Sequence, residues 1–184
     1  AAGAGGTVYL ADTHVETPGT NYTLTGPAAA VPVTVIVSDV LTGTSVSYVK
    51  ATAIQINASS AGYDIAFDGA FVFIGCYFYV GDDYLFNSSG GEIQRFIDCT
   101  LEASNGSVCG NAVDSVTEII NTEFKLRQTA TLSTAPFNFL ASEYAFYMSG
   151  CTFTAAAGAL SNYTGGIFRG NDNCVIDVSG SDFS

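Results

Sequence analysis

Phe73-Ile74-Gly75-Cys76-Tyr77-Phe78 returns, altered but recognisable, as Phe96-Ile97-Asp98-Cys99-Thr100-Leu101, Ile119-Ile120-Asn121-Thr122-Glu123-Phe124, Met148-Ser149-Gly150-Cys151-Thr152-Phe153 and Val178-Ser179-Gly180-Ser181-Asp182-Phe183. Counted from the fourth position, the copies lie 23, 23, 29 and 30 residues apart (76 to 99, 99 to 122, 122 to 151, 151 to 181). A period of roughly 20 to 50 residues marks an architecture of stacked repeats. Within the phrase the first position is apolar, the fourth is Cys, Thr or Ser, and the sixth is Phe or Leu. The third is Gly, Asp or Asn, the residues that enter left-handed backbone space most cheaply. Strand side chains alternate faces, so the fourth and sixth positions share a face that the first can reach only through a bend. Strand, one-residue corner, strand, repeated every 23 or so residues, predicts an all-β fold: a right-handed parallel β-helix, or solenoid, of about seven or eight coils. The 3.6-residue and leucine-rich patterns of helical and leucine-rich repeats are absent.

Working outward, residues 1–6 read as a flexible arm and 7–184 as a single β-helix domain. Thr7 to Val15 reads as a first copy of the phrase, with Leu10 in first position, Asp12 at the corner, and Thr13 and Val15 inward. Glu16-Thr17-Pro18-Gly19-Thr20 is turn chemistry, and Tyr22-Thr23-Leu24-Thr25 is a short strand ended by Gly26-Pro27. Residues 31–41 are β-branched and almost continuously apolar, as in a strand buried within a parallel sheet, with Val37, Asp39 and Val40 as a weaker copy of the phrase. The 36 residues from 40 to 76 must hold an insertion or a degenerate coil around 42–60, with strands at 53–57 and 65–68. Coil ends expose unpaired edges and core, so at least one end is expected to be covered by a partner or by further chain.

Of the 184 residues, 48% are hydrophobic and 12% charged, with 17 Ser, 19 Thr, ten Tyr and 13 Phe. That composition supports a continuous core under a hydroxyl-rich β surface. Five Lys and Arg against 17 Asp and Glu, a net charge of −12, exclude nucleic acid as a partner, since phosphate binding needs clustered cations. An anionic membrane surface is disfavoured for the same reason. No apolar run approaches the ~18 to 20 residues of a membrane span. The opening Ala1-Ala2-Gly3-Ala4-Gly5-Gly6 has no signal-peptide character and no initiator Met, and reads as a start inside a longer or processed chain.

Candidate chemistry is sparse. Cys76, Cys99 and Cys151 fill one repeat column beside Thr122 and Ser181, which reads as a buried ladder of small residues. A disulfide between Cys76 and Cys99 on adjacent coils stays open. With Cys109 and Cys174 the five cysteines lack the short paired spacing of a zinc site. His14, with Glu16 beside it, reads as structural or surface-exposed. Asp82 and Asp83 after Gly81 lack the EF-hand pattern and read as a solvated loop. Asp98 and Glu102 near Arg95 resemble a glycosidase or lyase set only superficially, because two carboxylates must face one cleft and Asp98 is spent on the corner. Asn21, Asn57, Asn87, Asn105 and Asn162 stand in Asn-x-Ser/Thr sequences, a glycosylation signal close to chance in so Ser/Thr-rich a chain. The residues thus nominate no catalytic, cofactor-binding or metal-ligating set, and no cofactor.

The Val8-Tyr9-Leu10-Ala11-Asp12 opening, Tyr22 to Pro27 and the Gly-Cys-Thr-Phe phrases together resemble the right-handed parallel β-helix, or pectate-lyase-like, superfamily over nearly the whole chain. Ala11 to Thr17, followed by a Thr-Leu-Thr strand and the Pro-Val-x-Val-Ile run, is similar over residues 7–40 to virion-associated β-helix proteins of tailed bacteriophages. That resemblance implies a non-enzymatic decoration, cement or fibre role on a capsid or tail, often as an oligomer such as a trimer. Its partners would be other virion or surface proteins covering the coil ends, and host glycans met through exposed Tyr. The acidic calcium cluster and the positioned Arg or Lys base of the lyase families have no counterpart here. The alternatives are a carbohydrate-active or carbohydrate-binding rod and a secreted, extracellular cell-surface adhesin.

Overall fold

Three parallel sheets wrap one core. The computed structural model describes residues 3–28, 31–39, 48–60, 62–87, 92–104, 115–127, 135–139, 143–156, 168–170 and 173–182, and the backbone of 108–110. A partial first turn carries β1 (Thr7–Ala11) and β2 (Tyr22–Thr25). Five turns then place a strand in every sheet: β3 (Val33–Ser38), β4 (Ile56–Ala58), β5 (Ile65–Asp68); β6 (Phe71–Ile74), β7 (Tyr77–Val80), β8 (Tyr84–Phe86); β9 (Ile93–Ile97), β10 (Thr100–Ala103), β11 (Val108–Gly110); β12 (Val116–Ile120), β13 (Glu123–Leu126), β14 (Phe137–Phe139); β15 (Ala145–Ser149), β16 (Thr152–Ala155), β17 (Phe168–Gly170). A last strand, β18 (Val175–Asp177), begins a further turn. Sheet A runs β1-β3-β6-β9-β12-β15-β18, sheet B β4-β7-β10-β13-β16 and sheet C β2-β5-β8-β11-β14-β17. The chain is therefore a parallel β-solenoid of about five turns rather than seven or eight. The higher number counts the partial turns at either end as complete, and adds a degenerate coil around 42–60 where the structure has β4 of the second turn.

The phrase sits where sheet A turns into sheet B. Gly75, Asp98, Asn121, Gly150 and Gly180 all have positive φ, between 48° and 74°. The backbone N–H of each of the first three corners donates to the next rung, Gly75 to Ile97 O, Asp98 to Ile120 O and Asn121 to Ser149 O, at 2.8–2.9 Å. The small fourth residue closes the bend from inside. Cys76, Cys99 and Cys151 point their Sγ, and Thr122 its Oγ1, at the carbonyl two residues back, at 3.8, 3.3, 3.6 and 3.1 Å. Cys and Thr exchange in this column because both are small donors. The three thiols are free and buried, so the Cys76–Cys99 disulfide is not formed. The hydrogen bond with the Cys99 thiol, and then burial, push the Cys76 thiol well above its ordinary range. A second corner precedes sheet A at Gly69, Glu143 and Asn173, also with positive φ.

Register corrects the reading of the first two turns. Leu10 pairs with Val37 as expected, but Phe73 pairs with Val35, and Val35 with Val8. The first-position column therefore continues through Val35 and Val8, two residues before the predicted ones. Asp12 and Asp39 are not left-handed corners, Thr13 and Val15 are exposed rather than inward, and Val40 lies outside the described residues. In place of the corner, the second turn carries the expected insertion. It returns at Tyr48, bridged to Ser38, with Val49 N donating to Val37 O of the same turn, and lies over the next corner through Ala51 N to Gly75 O.

The inward columns build an aromatic spine. Phe67, Phe73, Phe78, Tyr84, Phe86, Phe96, Phe124, Phe137, Phe139, Tyr144 and Phe146 are almost fully buried in one continuous cluster. Among the buried polar groups, Gln94 donates to Phe67 O and Gly69 O, anchoring the second corner, and Thr117 shares a hydrogen bond with the Tyr144 hydroxyl. Outside sheet A, opposite the Val8–Val35–Phe73–Phe96 column, the pairing lines up Tyr9, Ile36, Ile74, Ile97 and Ile120.

Candidate functional site

The densest group of functional side chains lies on the outer face of sheet B. There, parallel register stacks Tyr79, Glu102, Lys125 and Thr154 in one column and Tyr77, Thr100, Glu123 and Thr152 in the next. Glu102 is only 1% exposed although it faces away from the core. Its two carboxylate oxygens are engaged separately: the Tyr77 hydroxyl donates to Oε2, and Arg127 Nε pairs with Oε1. The Tyr84 hydroxyl donates to the Glu102 backbone carbonyl at 2.7 Å and to Phe78 O at 2.8 Å. Lys125 Nζ lies 4.9 Å from the centre of the Tyr77 ring, a cation–π distance, and 3.6 Å from Glu123. Burial, then the adjacent Glu102, drives the Tyr77 phenol well above its usual range.

This arrangement braces three consecutive turns. A general acid or base needs a carboxylate with a free edge within reach of substrate, and Glu102 has both oxygens occupied and almost no exposure. Arg127→Ala is expected to leave a buried carboxylate half-paired. Breaking such pairs costs about 3–5 kcal/mol when both partners are buried. Because Arg127 is itself 58% exposed on its side chain, the expected loss is about 1–3 kcal/mol. Urea unfolding measures it, and a loss below about 0.5 kcal/mol, within the range of ordinary surface substitutions, would remove the brace.

Asp98 and Arg95 do not join Glu102. Asp98 forms the corner and accepts a hydrogen bond from the Tyr48 hydroxyl at 3.0 Å, while Arg95 pairs with Glu118 on the outside of sheet A. The glycosidase-like set is thus spread over two sheets and a corner.

Asp82 and Asp83 acquire a third member that sequence reading missed. The turn before sheet C stacks them on Asp64 of the preceding coil, with one carboxylate oxygen from each within 4.8 Å of the others. Asp83 N donates to Asp64 Oδ1 at 3.1 Å, and Asn21 Nδ2 to Asp64 Oδ2 at 3.2 Å. Burial and then Asp64 raise the Asp82 carboxyl above its ordinary range. Three such oxygens could hold a hard cation, which would need further oxygens from water or backbone. The sequence offered no signal for this, because Asp64 is 18 residues away and meets the pair only through coil stacking. Of the sequon residues, Asn21 is hydrogen-bonded to Asp64 and Asn57 to Ser59 N, Asn87 is half-buried, and Asn105 and Asn162 lie outside the described residues.

At the N-terminal end of the solenoid a cavity of about 290 Å³ opens into the core, lined by Val8, Leu10, Leu24, Phe71, Phe73 and Phe78. His14, Glu16 and Tyr22 also line it. Both Glu16 and His14 are exposed. Glu16, read from sequence as part of a turn, instead forms a parallel bridge to Ile56 and serves as the first rung of sheet B. No protein-family model, curated protein or solved structure matches the chain.

Proposed function

We propose that the rod is a non-enzymatic structural protein of a virion surface, a decoration, cement or fibre element that packs sideways against neighbouring subunits. The observation that supports this is the outside of sheet A. Ile36, Ile74, Ile97 and Ile120 stand in one half-buried outward column, with Tyr9 exposed at its end and Val72 beside Ile74; the Arg95–Glu118 ion pair separates it from Ile93 and Val116. A flat, ordered, apolar strip on a rigid sheet is a surface for protein association. It suits a second copy of this chain, as in a trimer, or a shell protein equally well. The phage resemblance in residues 7–40 points the same way, and the braced carboxylate on sheet B is consistent with a chemically quiet rod.

The test is association. Particles purified by density gradient from the source that encodes this chain should carry it. Ile97→Asp with Ile120→Asp, which keeps the inward core intact, should lower its occupancy tenfold or more while leaving the fold's thermal transition in place. A chain that stays monomeric and never sediments with particles sinks the reading. The alternative, a carbohydrate-binding or carbohydrate-active rod or a secreted adhesin, draws on the exposed Tyr9, Tyr48 and Tyr147. It predicts glycan retention, or new reducing or unsaturated ends from acidic polysaccharides.

A further inference from the structure

The cavity at the N-terminal end has a composition that plain truncation of the core does not explain. Sheet B carries an inward column of Ile56, Phe78, Leu101, Phe124 and Phe153 through its five strands. The bridge from Glu16 to Ile56 places Glu16 next in that column. Its position is held by the backbone, with Glu16 N donating to Gln55 O at 2.7 Å and Asn57 N donating to Glu16 O at 2.8 Å. A carboxylate thus occupies the rung where every following turn has a large apolar side chain. The ion pairs among the described residues join Arg95 to Glu118, Lys125 to Glu123 and Arg127 to Glu102, and none reaches Glu16.

Glu16 shares the cavity with four aromatic side chains, Tyr22, Phe71, Phe73 and Phe78, set among aliphatic ones. The first two turns leave room there, because Val8 and Val35 fill the column that Phe73 and Phe96 fill farther along. Burial, then Glu16, holds the Tyr22 phenol above its ordinary range, so the phenol stays neutral beside the carboxylate. Ring faces attract cations, and attract them more strongly where water is thinned out. A net charge of −12 raises the local concentration of any cationic ligand. A cavity of about 290 Å³ is at the small end of the range for ligand pockets and suits a single ring or a short chain.

We propose that the N-terminal mouth is a binding site for an apolar organic cation, an ammonium group on a body about the size of one aromatic ring, with Glu16 taking the charge and Phe71, Phe73 and Phe78 the body. The site is independent of the virion reading and would operate in a rod of any location. His14 and Tyr22 are the other titratable side chains lining the mouth.

The experiment uses the whole chain with 2-phenylethylammonium and its neutral counterpart 2-phenylethanol as probes, titrated at pH 8 and low salt and followed by ligand-observed NMR. The ammonium is expected to bind at least fivefold more tightly than the alcohol, and 0.5 M salt should erase most of that preference. Glu16→Gln, at an exposed position, should bring the ammonium down to the level of the alcohol and leave the alcohol unchanged. Val8→Phe, which fills the cavity, should weaken both. The proposal is overturned if neither probe binds, if the alcohol binds as well as the ammonium, or if Glu16→Gln leaves the preference intact.

Discussion

Phe67→Ala is expected to lower stability by about 3–5 kcal/mol, the usual cost of emptying a fully buried aromatic site. Phe67 is completely buried, and its ring centre lies 5.0–6.4 Å from those of Phe73, Phe78, Tyr84, Phe86 and Phe96. It joins rings from all three sheets and three turns, so its loss removes contacts both within a rung and between rungs. The neighbours cannot collapse into the gap, because each is held in register by its own parallel strand. Phe153→Ala supplies the comparison. Phe153 stacks on Phe124 at 5.1 Å but is only half-buried near the C-terminal end, and should cost about half as much, in proportion to the area it hides. In a solenoid, stability is roughly a sum of turns and the interfaces between them. A defect that breaks contacts between three turns should therefore lower and broaden the whole urea transition, and one at the last turn should fray that end. Equal losses for the two variants would mean that the aromatic spine is not the shared core described above.

That spine was legible as composition but not as an arrangement. The phrase around Gly75, Asp98, Asn121, Gly150 and Gly180 could be read because a left-handed corner restricts residue type so severely, and all five corners stand where the phrase put them. The fourth column could be read because only small side chains fit under the bend. The first two turns were misread by two residues for the converse reason. Val33 to Ser38 is almost continuously β-branched and apolar, without Gly or Asn to mark a corner, so several registers satisfy the pattern equally. The second corner escaped notice at Glu143, because glutamate is not a residue that signals positive φ. The local groupings were harder still. Glu102 meets Tyr77 and Arg127 across neighbouring strands, Asp64 meets Asp82 and Asp83 across a coil, and Glu16 joins Ile56 across 40 residues. Each depends on which residue stacks on which, a property of register and of inserted loops that no local motif encodes.

Gly75→Asn tests the corner itself, and it should be severe even though Asn121 occupies the equivalent corner two turns on. Two costs have to be separated. The first is conformational: a side chain at φ of 74° pays for left-handed backbone, about 1–2 kcal/mol in general and less for Asn, whose short amide tolerates that region. The second is steric. A Cβ at position 75 would lie 2.5 Å from the Val49 carbonyl oxygen and 2.9 Å from the Tyr48 ring, because the insertion of the second turn is laid across this corner. The Val49 oxygen belongs to backbone, and the same returning segment is hydrogen-bonded to Gly75 O through Ala51 N, so it cannot simply swing aside. Gly180→Asn isolates the first cost. That corner has φ of 71°, and the nearest atom to an added Cβ is 3.9 Å away. The expectation is a loss below about 1 kcal/mol for Gly180→Asn and about 3 kcal/mol or more for Gly75→Asn, the range of backbone strain joined to overpacking. Asn121→Gly, at an exposed corner already filled by a side chain, should change stability by no more than about 1 kcal/mol. Urea melts of the three variants decide between the costs. If Gly75→Asn and Gly180→Asn fall together, the corner glycines are there for backbone angle alone, and the insertion does not rest on the third turn as a close-packed layer.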